Sequence, residues 1–119
     1  MIPSGVQIFL ALEPIDMRWS FDRLAGAALE RVGYDARSGA MFIYFGKRKD
    51  ALKILFFDGS GMCLFYKRLD RKVFRLPEAC APNARHVELD EGLLDALLDG
   101  VHVEEPPKST RRKARVRVH

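Results

Sequence analysis

Cysteine is scarce in this 119-residue chain, which has Cys63 inside an apolar run and Cys80 in a loop-forming stretch. Two cysteines so placed make neither a disulfide framework nor a zinc site with ligand spacing, and both read as buried or half-buried free thiols. Histidine is equally sparse: His86, His102 and His119 form no i, i+4 pair and no ligand cluster with a cysteine. Metal and cofactor binding are therefore not expected. Long apolar runs are missing as well. Runs such as Ile54 to Phe57 fall far short of the roughly 20 residues that cross a bilayer, so no membrane association is expected. The amino end, MIPSGVQIFLALEPID, lacks both the positive start and the long apolar core of a secretory signal, which places the expected location in the cytoplasm.

What is present is charge, and it is unevenly spread. Hydrophobic residues make up 48% and charged residues 30%, ordinary proportions for one globular domain. The net charge of +4 conceals blocks of opposite sign. Residues 46–75 carry 9 basic and 3 acidic groups, residues 78–105 carry 1 and 8, and residues 108–119 carry 6 and none. The two basic blocks are the candidates for meeting phosphate.

Hydrophobic periodicity orders the chain. Val6 to Leu12 reads as a strand with Ile8 and Leu10 on one side and Phe9 on the other. Over Met17 to Val32, Phe21, Leu24, Ala25, Ala28, Leu29 and Val32 make one helical stripe, with Asp16 or Ser20 as N-cap and Gly33 at C′. Ala40 to Phe45 is apolar on both faces and should be a central strand. The exposed loop GKRKD, Gly46 to Asp50, leads to a strand at Ala51 to Phe57, and Asp58-Gly59-Ser60-Gly61 turns the chain into another at Met62 to Arg68. After a turn at Leu69 to Lys72, a short final strand is expected at Val73 to Leu76, and Pro77 to Arg85 reads as irregular. Leu89 to Asp99 is a second helix, with Asp90 as N-cap, a Leu89/Leu94 staple, a stripe of Leu93, Leu94, Leu97 and Leu98, and Gly100 as its stop. Val101 to Val103 is a candidate terminal strand. The expected fold is α+β: one domain over residues 1–105, an antiparallel meander of about four to five strands with two helices packed on it, and a flexible basic tail over residues 106–119.

Three blocks, DMRWSFDRLA (Asp16 to Ala25), MFIYFGKRKDALKILFFDGSGMCLFYKRL (Met41 to Leu69) and FRLP (Phe74 to Pro77), carry a family resemblance. Their succession resembles the TnpB accessory protein of the insertion-sequence 66 family of bacterial transposable elements, over nearly all of residues 2–104. That resemblance implies a bacterial cytoplasmic protein required for transposition beside a separate transposase, with no catalytic residues to carry over. The basic turn at Arg71-Lys72 departs from the glycine-containing turn expected of many relatives, and Trp19 and Phe56-Phe57 look like variants of the pattern.

Each constellation has a functional and a bland reading. Lys47, Arg48 and Lys49 on one loop, with Lys67, Arg68, Arg71 and Lys72 around another, should share one end of a meander, because its first and third loops do. With Lys53 nearby they would form a phosphate-binding patch; alternatively they are solvated turns that blunt sheet edges. In the tail, Arg111, Arg112, Lys113 and Arg115, flanked by Lys108 and Arg117, suit any polyanion or the acidic helix of residues 88–99. Tyr44, Phe45, Phe57, Phe65 and Tyr66 read as stacking platforms or, with more weight, as core. If both helices covered one sheet face, a homodimer would cover the other. Asp16, Asp22, Asp50 and Asp58 raise a Mg²⁺-dependent nuclease, but their spacing favours structural roles, with Arg18 pairing a carboxylate at the helix entry. The lead expectation is a non-enzymatic accessory protein that binds DNA through these basic groups and cooperates with a transposase. A protein adaptor for the transposase without DNA contact is the alternative, and the nuclease is the least favoured.

Overall fold

The apolar stretch Met41–Phe45 becomes β2, the middle strand of a five-stranded sheet, and all but Met41 of its residues are buried. A strand with side chains hidden on both faces needs a layer on each, and the fold supplies them. The computed structural model describes residues 5–71, 73–75 and 83–99, together with the backbone of residues 102–103 and 116–117. The sheet is built from β1 (Ile8–Ala11), β2, β3 (Ala51–Phe57), β4 (Met62–Arg68) and β5 (His86–Leu89), in the order β4-β3-β2-β1-β5. Its two helices are α1 (Phe21–Ala27) and α2 (Glu91–Leu98).

Strands β2, β3 and β4 form the expected antiparallel meander, with Phe42 opposite Leu55 and Ile54 opposite Phe65. Two expectations fail beyond it. First, β1 pairs parallel with β2, Ile8 beside Met41, because helix α1 lies between them in sequence and returns the chain to the same end. The sheet is therefore mixed. Second, Val73–Arg75 is not a strand. The outer place beside β1 goes to HVEL, β5, which pairs antiparallel with Leu10 opposite Val87 and buries Val87 and Leu89. The described residues also include a two-residue ribbon, β6 (His102–Val103) with β7 (Val116–Arg117), and an isolated parallel bridge between Ile15 and Gly46.

Alternation along the strands divides the core. Ile8, Leu10, Ile43, Phe45, Leu52 and Ile54 pack with Leu94 and Leu97 of α2, whereas Phe9, Ala11, Phe42, Tyr44 and Leu55 pack with Leu24 of α1 and with Ala27, Ala28 and Val32. The helices thus lie on opposite faces, and the reason given for a homodimer, one uncovered apolar face, does not hold. Tyr44 is fully buried, its hydroxyl donating to the Leu24 carbonyl at 2.9 Å, and burial pushes its phenol well above its ordinary pKa. With Phe45 also in the core, two of the five candidate stacking residues are structural.

The first helix ends in a π-helical turn, Ala28–Val32, closed by a bond from the Gly33 N–H to the Ala28 carbonyl at 2.9 Å, with Gly33 at a left-handed φ of 90°. The buried face is rotated from the expected stripe: Leu24, Ala27 and Ala28, at ordinary i, i+3, i+4 spacing, enter the core, while Leu29 is 62% exposed and Phe21, in the first turn, 43% exposed. Ser20 holds the N-cap position without a side-chain bond. In α2, by contrast, the Asp90 carboxylate accepts from the Leu93 N–H at 2.8 Å, and Leu89 and Leu94 are both buried, as the capping pattern requires. Gly100 lies outside the described residues.

Candidate nucleic-acid interface

Between β2 and β3 the chain reverses through Gly46–Asp50, with the Lys49 N–H donating to the Gly46 carbonyl at 3.1 Å and Lys49 in the left-handed region at φ 60°. The side chains of Lys47, Arg48 and Lys49 point to solvent. At the same end of the sheet, Arg68 stands opposite Ala51, and the chain beyond it is stitched to the first loop by two main-chain bonds: Leu69 N–H to Asp50 carbonyl and Phe74 N–H to Lys49 carbonyl, each 2.7 Å. Phe74 then plugs the core, 2% exposed, edge-on to Phe45 with ring centres 5.4 Å apart. The segment expected to be a strand is instead an anchor for the second basic loop. Consequently Lys47, Arg48, Lys49, Arg68 and Arg71 share one end of the sheet, as the meander geometry requires, and all five are exposed. Their loops are held together by backbone bonds, so the cationic side chains are not needed to hold the loops and stay exposed, Arg68 donating to the Tyr66 hydroxyl at 3.1 Å and Arg71 lying 4.0 Å from the Asp70 carboxylate.

A surface cleft of about 530 Å³ opens among these loops, lined by Asp16, Met17, Gly46, Arg48, Asp50 and Arg68, among others. Its far wall comes from the segment before α1, docked by a bond from the Ile15 N–H to the Phe45 carbonyl at 2.8 Å. Space favours glycine at position 46: a β-carbon there would lie 2.7 Å from Cγ of Met17, whose side chain would have to shift. Asp16 does not cap the helix. Its carboxylate takes the Arg18 N–H and a two-pronged guanidinium contact at 3.0 and 2.7 Å, which drives its pKa well below the ordinary carboxylate range. Arg18, 89% exposed at the side chain, is thereby fixed beside the cleft as the anticipated helix-entry pair.

Other expected members of the patch are used internally. Lys53 is only 8% exposed, and its ammonium donates to the Trp19 carbonyl at 2.7 Å, since β3 directs it beneath the segment that enters α1. Lys67 points to the opposite face, where its ammonium donates to the Leu98 carbonyl in the last turn of α2, one of the orphan acceptors at a helix end. Both side chains are thus corrections to the expected phosphate-facing set. Lys72, Arg111, Arg112, Lys113 and Arg115 lie outside the described residues, as does Cys80. Half-buried Cys63 has its thiol pushed above its ordinary pKa, first by burial and then by the nearby Asp58 carboxylate.

The four aspartates do not converge on one point, although Asp16 and Asp50 both line the cleft. Asp16 pairs with Arg18, Asp22 is exposed in the first turn of α1, and Asp50 and Asp58 sit at opposite ends of β3. Among the described residues, no three of His, Cys, Asp and Glu group closely enough to hold a metal ion. No helix there is long and apolar enough to cross a membrane.

Sequence reasoning missed several basic groups around α1. The guanidinium carbons of Arg23 and Arg31 lie 5.0 and 5.6 Å from the centre of the Trp19 ring, and Glu13 receives Arg85 at 2.9 Å, which lowers its pKa. The signal was present in Trp19-x-x-x-Arg23, an i, i+4 spacing at the helix start.

A family model described as "IS66 Orf2 like protein" matches residues 6–108, a span that includes both basic loops and the cleft. The uncharacterized protein y4hO of Sinorhizobium fredii is similar to this chain, 34% identical over 113 residues covering 93% of this chain and 96% of the relative. So is the uncharacterized protein y4jC of the same organism, 33% identical over 104 residues, covering 87% and 88% respectively. No solved structure matches. With the family pattern running through strand, helix and meander alike, the chain belongs to the IS66 Orf2-like family, TnpB, a transposition-associated group of accessory proteins.

Proposed function

We propose that this protein serves the transposition of an insertion sequence as a non-catalytic accessory factor, binding DNA at the basic end of its sheet and along its basic carboxyl-terminal segment, in cooperation with a separate transposase. The observation that carries this reading is the pair of main-chain bonds joining the Lys47–Lys49 and Leu69–Phe74 loops. They hold five exposed cations at one end of the sheet, where a phosphate backbone can meet several at once. A salt titration of binding to a short duplex tests it. If three to five phosphates are neutralised, the log–log slope should lie between about −2.7 and −4.5, at roughly −0.9 per phosphate. Replacing Lys47, Arg48 and Lys49 together by glutamine should flatten that slope by about 2 to 3. Absence of binding at low salt overturns the proposal.

The adaptor reading draws on one observation of its own. On the α2 side, an apolar hollow of about 520 Å³ is lined by Val6, Ile54, Phe56, Leu98 and Phe65, the last 43% exposed. Capture of the cognate transposase that survives nuclease treatment and is lost in Phe65→Asp would favour it.

A further inference from the structure

Strand β4 lies at the sheet edge and exposes two adjacent aromatic residues, Phe65 at 43% and Tyr66 at 48%. Alternation sends them to opposite faces, where their surroundings differ in kind. Phe65 joins the apolar hollow beside α2. Tyr66 stands on the α1 side among cations: the Lys53 ammonium lies 5.3 Å from its ring centre, and the Arg68 guanidinium donates to its hydroxyl at 3.1 Å. That arrangement fixes the ring twice, at one face and at its polar edge, while leaving nearly half of the residue open. Lys53 is itself immobilised by its bond to the Trp19 carbonyl, and Trp19 carries Arg23 and Arg31 against its ring. Arg68, which with Arg48 forms part of the cleft lining, thus places an exposed cation beside the Tyr66 ring, while the buried Lys53 braces that ring from within. The carboxylates in this neighbourhood are Asp16, paired with Arg18, Asp70, exposed in the second loop 4.0 Å from Arg71, Glu13, 3.5 Å from Arg31, and Asp50, near Arg68; Asp22 is exposed on α1.

We propose that Tyr66 stacks an unpaired base of single-stranded DNA, while Arg68 and the Lys47–Lys49 loop hold the phosphates beside it. A held aromatic ring flanked by cations is what a strand of splayed bases requires, because every base offers a π-face and every linkage a negative charge. Duplex DNA, whose bases stack on one another, has no use for the ring and meets the basic loops alone. The inference rests on the DNA-binding reading above and narrows it to strands with exposed bases, such as frayed or nicked ends.

The test uses the full chain and two fluorescent probes, a 15-nucleotide poly-dT strand and a duplex of equal length, followed by anisotropy at low salt. Tyr66→Ala should weaken binding to the single strand about tenfold, within the range for one stacked base, and change duplex binding less than about twofold. Tyr66→Phe, which keeps the ring, should retain tight single-strand binding. Phe65→Ala removes an equally exposed ring from the other face and should leave both affinities unchanged. In the unaltered protein, a single strand carrying 2-aminopurine should lose fluorescence on binding as the base stacks, a readout independent of any variant's folding. Equal losses on both probes, no loss in Tyr66→Ala, or an unquenched 2-aminopurine signal overturns the stacking role while DNA binding stands. Failure of the unaltered protein to bind either probe overturns both.

Discussion

The two ends of strand β3 close in turns built on different principles. At Asp58–Gly61 the turn satisfies itself: one carboxylate oxygen of Asp58 accepts from the N–H groups of Ser60 and Gly61, each at 2.9 Å, and from the Ser60 hydroxyl at 3.0 Å. Its polar groups are spent on one another, and the backbone there makes the bond from the Asp58 N–H to the Gly61 carbonyl at 3.1 Å. At Gly46–Asp50 the backbone carries the load instead, with carbonyls of Lys49 and Asp50 taken by the neighbouring loop. Side chains released from holding a turn are available to a ligand. The contrast shows how charge and structure are separated at this loop: main-chain bonds and the Phe74 plug set the geometry, and Lys47, Arg48 and Lys49 stay exposed.

Three experiments press on that contrast. The largest effect should come from Phe74→Ala, which removes a nearly fully buried ring and with it the anchor of the second basic loop; a loss of about 3–5 kcal/mol in denaturant unfolding is expected. Phe57→Ala, at the half-buried end of β3 beside the self-contained turn, should cost clearly less. If the two truncations cost the same, the two turns do not differ as described.

Gly46→Ala comes next. Its new methyl group would press on Met17 at 2.7 Å, and relieving the overlap should cost about 1–3 kcal/mol. Pairing it with Met17→Ala should recover part of that loss in a double-mutant cycle. Full additivity would mean that Gly46 is needed for something other than the space that Met17 fills.

The smallest effect concerns acid. Hydrogen bonds from Ser60 and Gly61 hold the Asp58 carboxyl at a pKa of about 2, below its ordinary 3.8. A lowered folded-state pKa makes its contribution complete above the ordinary value and removes it as pH falls through the folded one. Chemical unfolding of the unaltered protein should therefore lose stability, relative to Asp58→Asn, between pH 3.8 and about 2. Parallel pH curves for the two proteins would show that the turn does not depend on the charged carboxylate.

Much of this architecture can be read from local pattern. The strands at Ala51–Phe57 and Met62–Arg68, the turns bounding them, the Asp90 cap and the Gly33 stop lie where residue type alone places them, because each depends on a few neighbouring backbone groups. The HVEL strand was missed although its alternation was visible, since four residues between a proline-rich segment and a helix carry little weight without a partner strand. Val73–Arg75 misled in the reverse direction: a β-favouring triplet whose phenylalanine serves the core by plugging it. In the site, the sharing of one end by Lys47–Lys49 and Arg68–Arg71 was legible from meander geometry, whereas the fates of Lys53 and Lys67 were not. Whether a lysine on a strand meets solvent or a carbonyl depends on what packs over that strand.

The sequence by itself determined the strand and helix periods, the turn chemistry and the segregation of charge, because these are properties of residues within a few positions of one another. Only the tertiary structure decided that β1 would lie parallel to β2, that the helices would take opposite faces, and that two basic loops would be bonded into one surface with Tyr66 beside them. Those outcomes depend on which distant backbone groups pair and which apolar faces meet, and periodicity along the chain leaves both open.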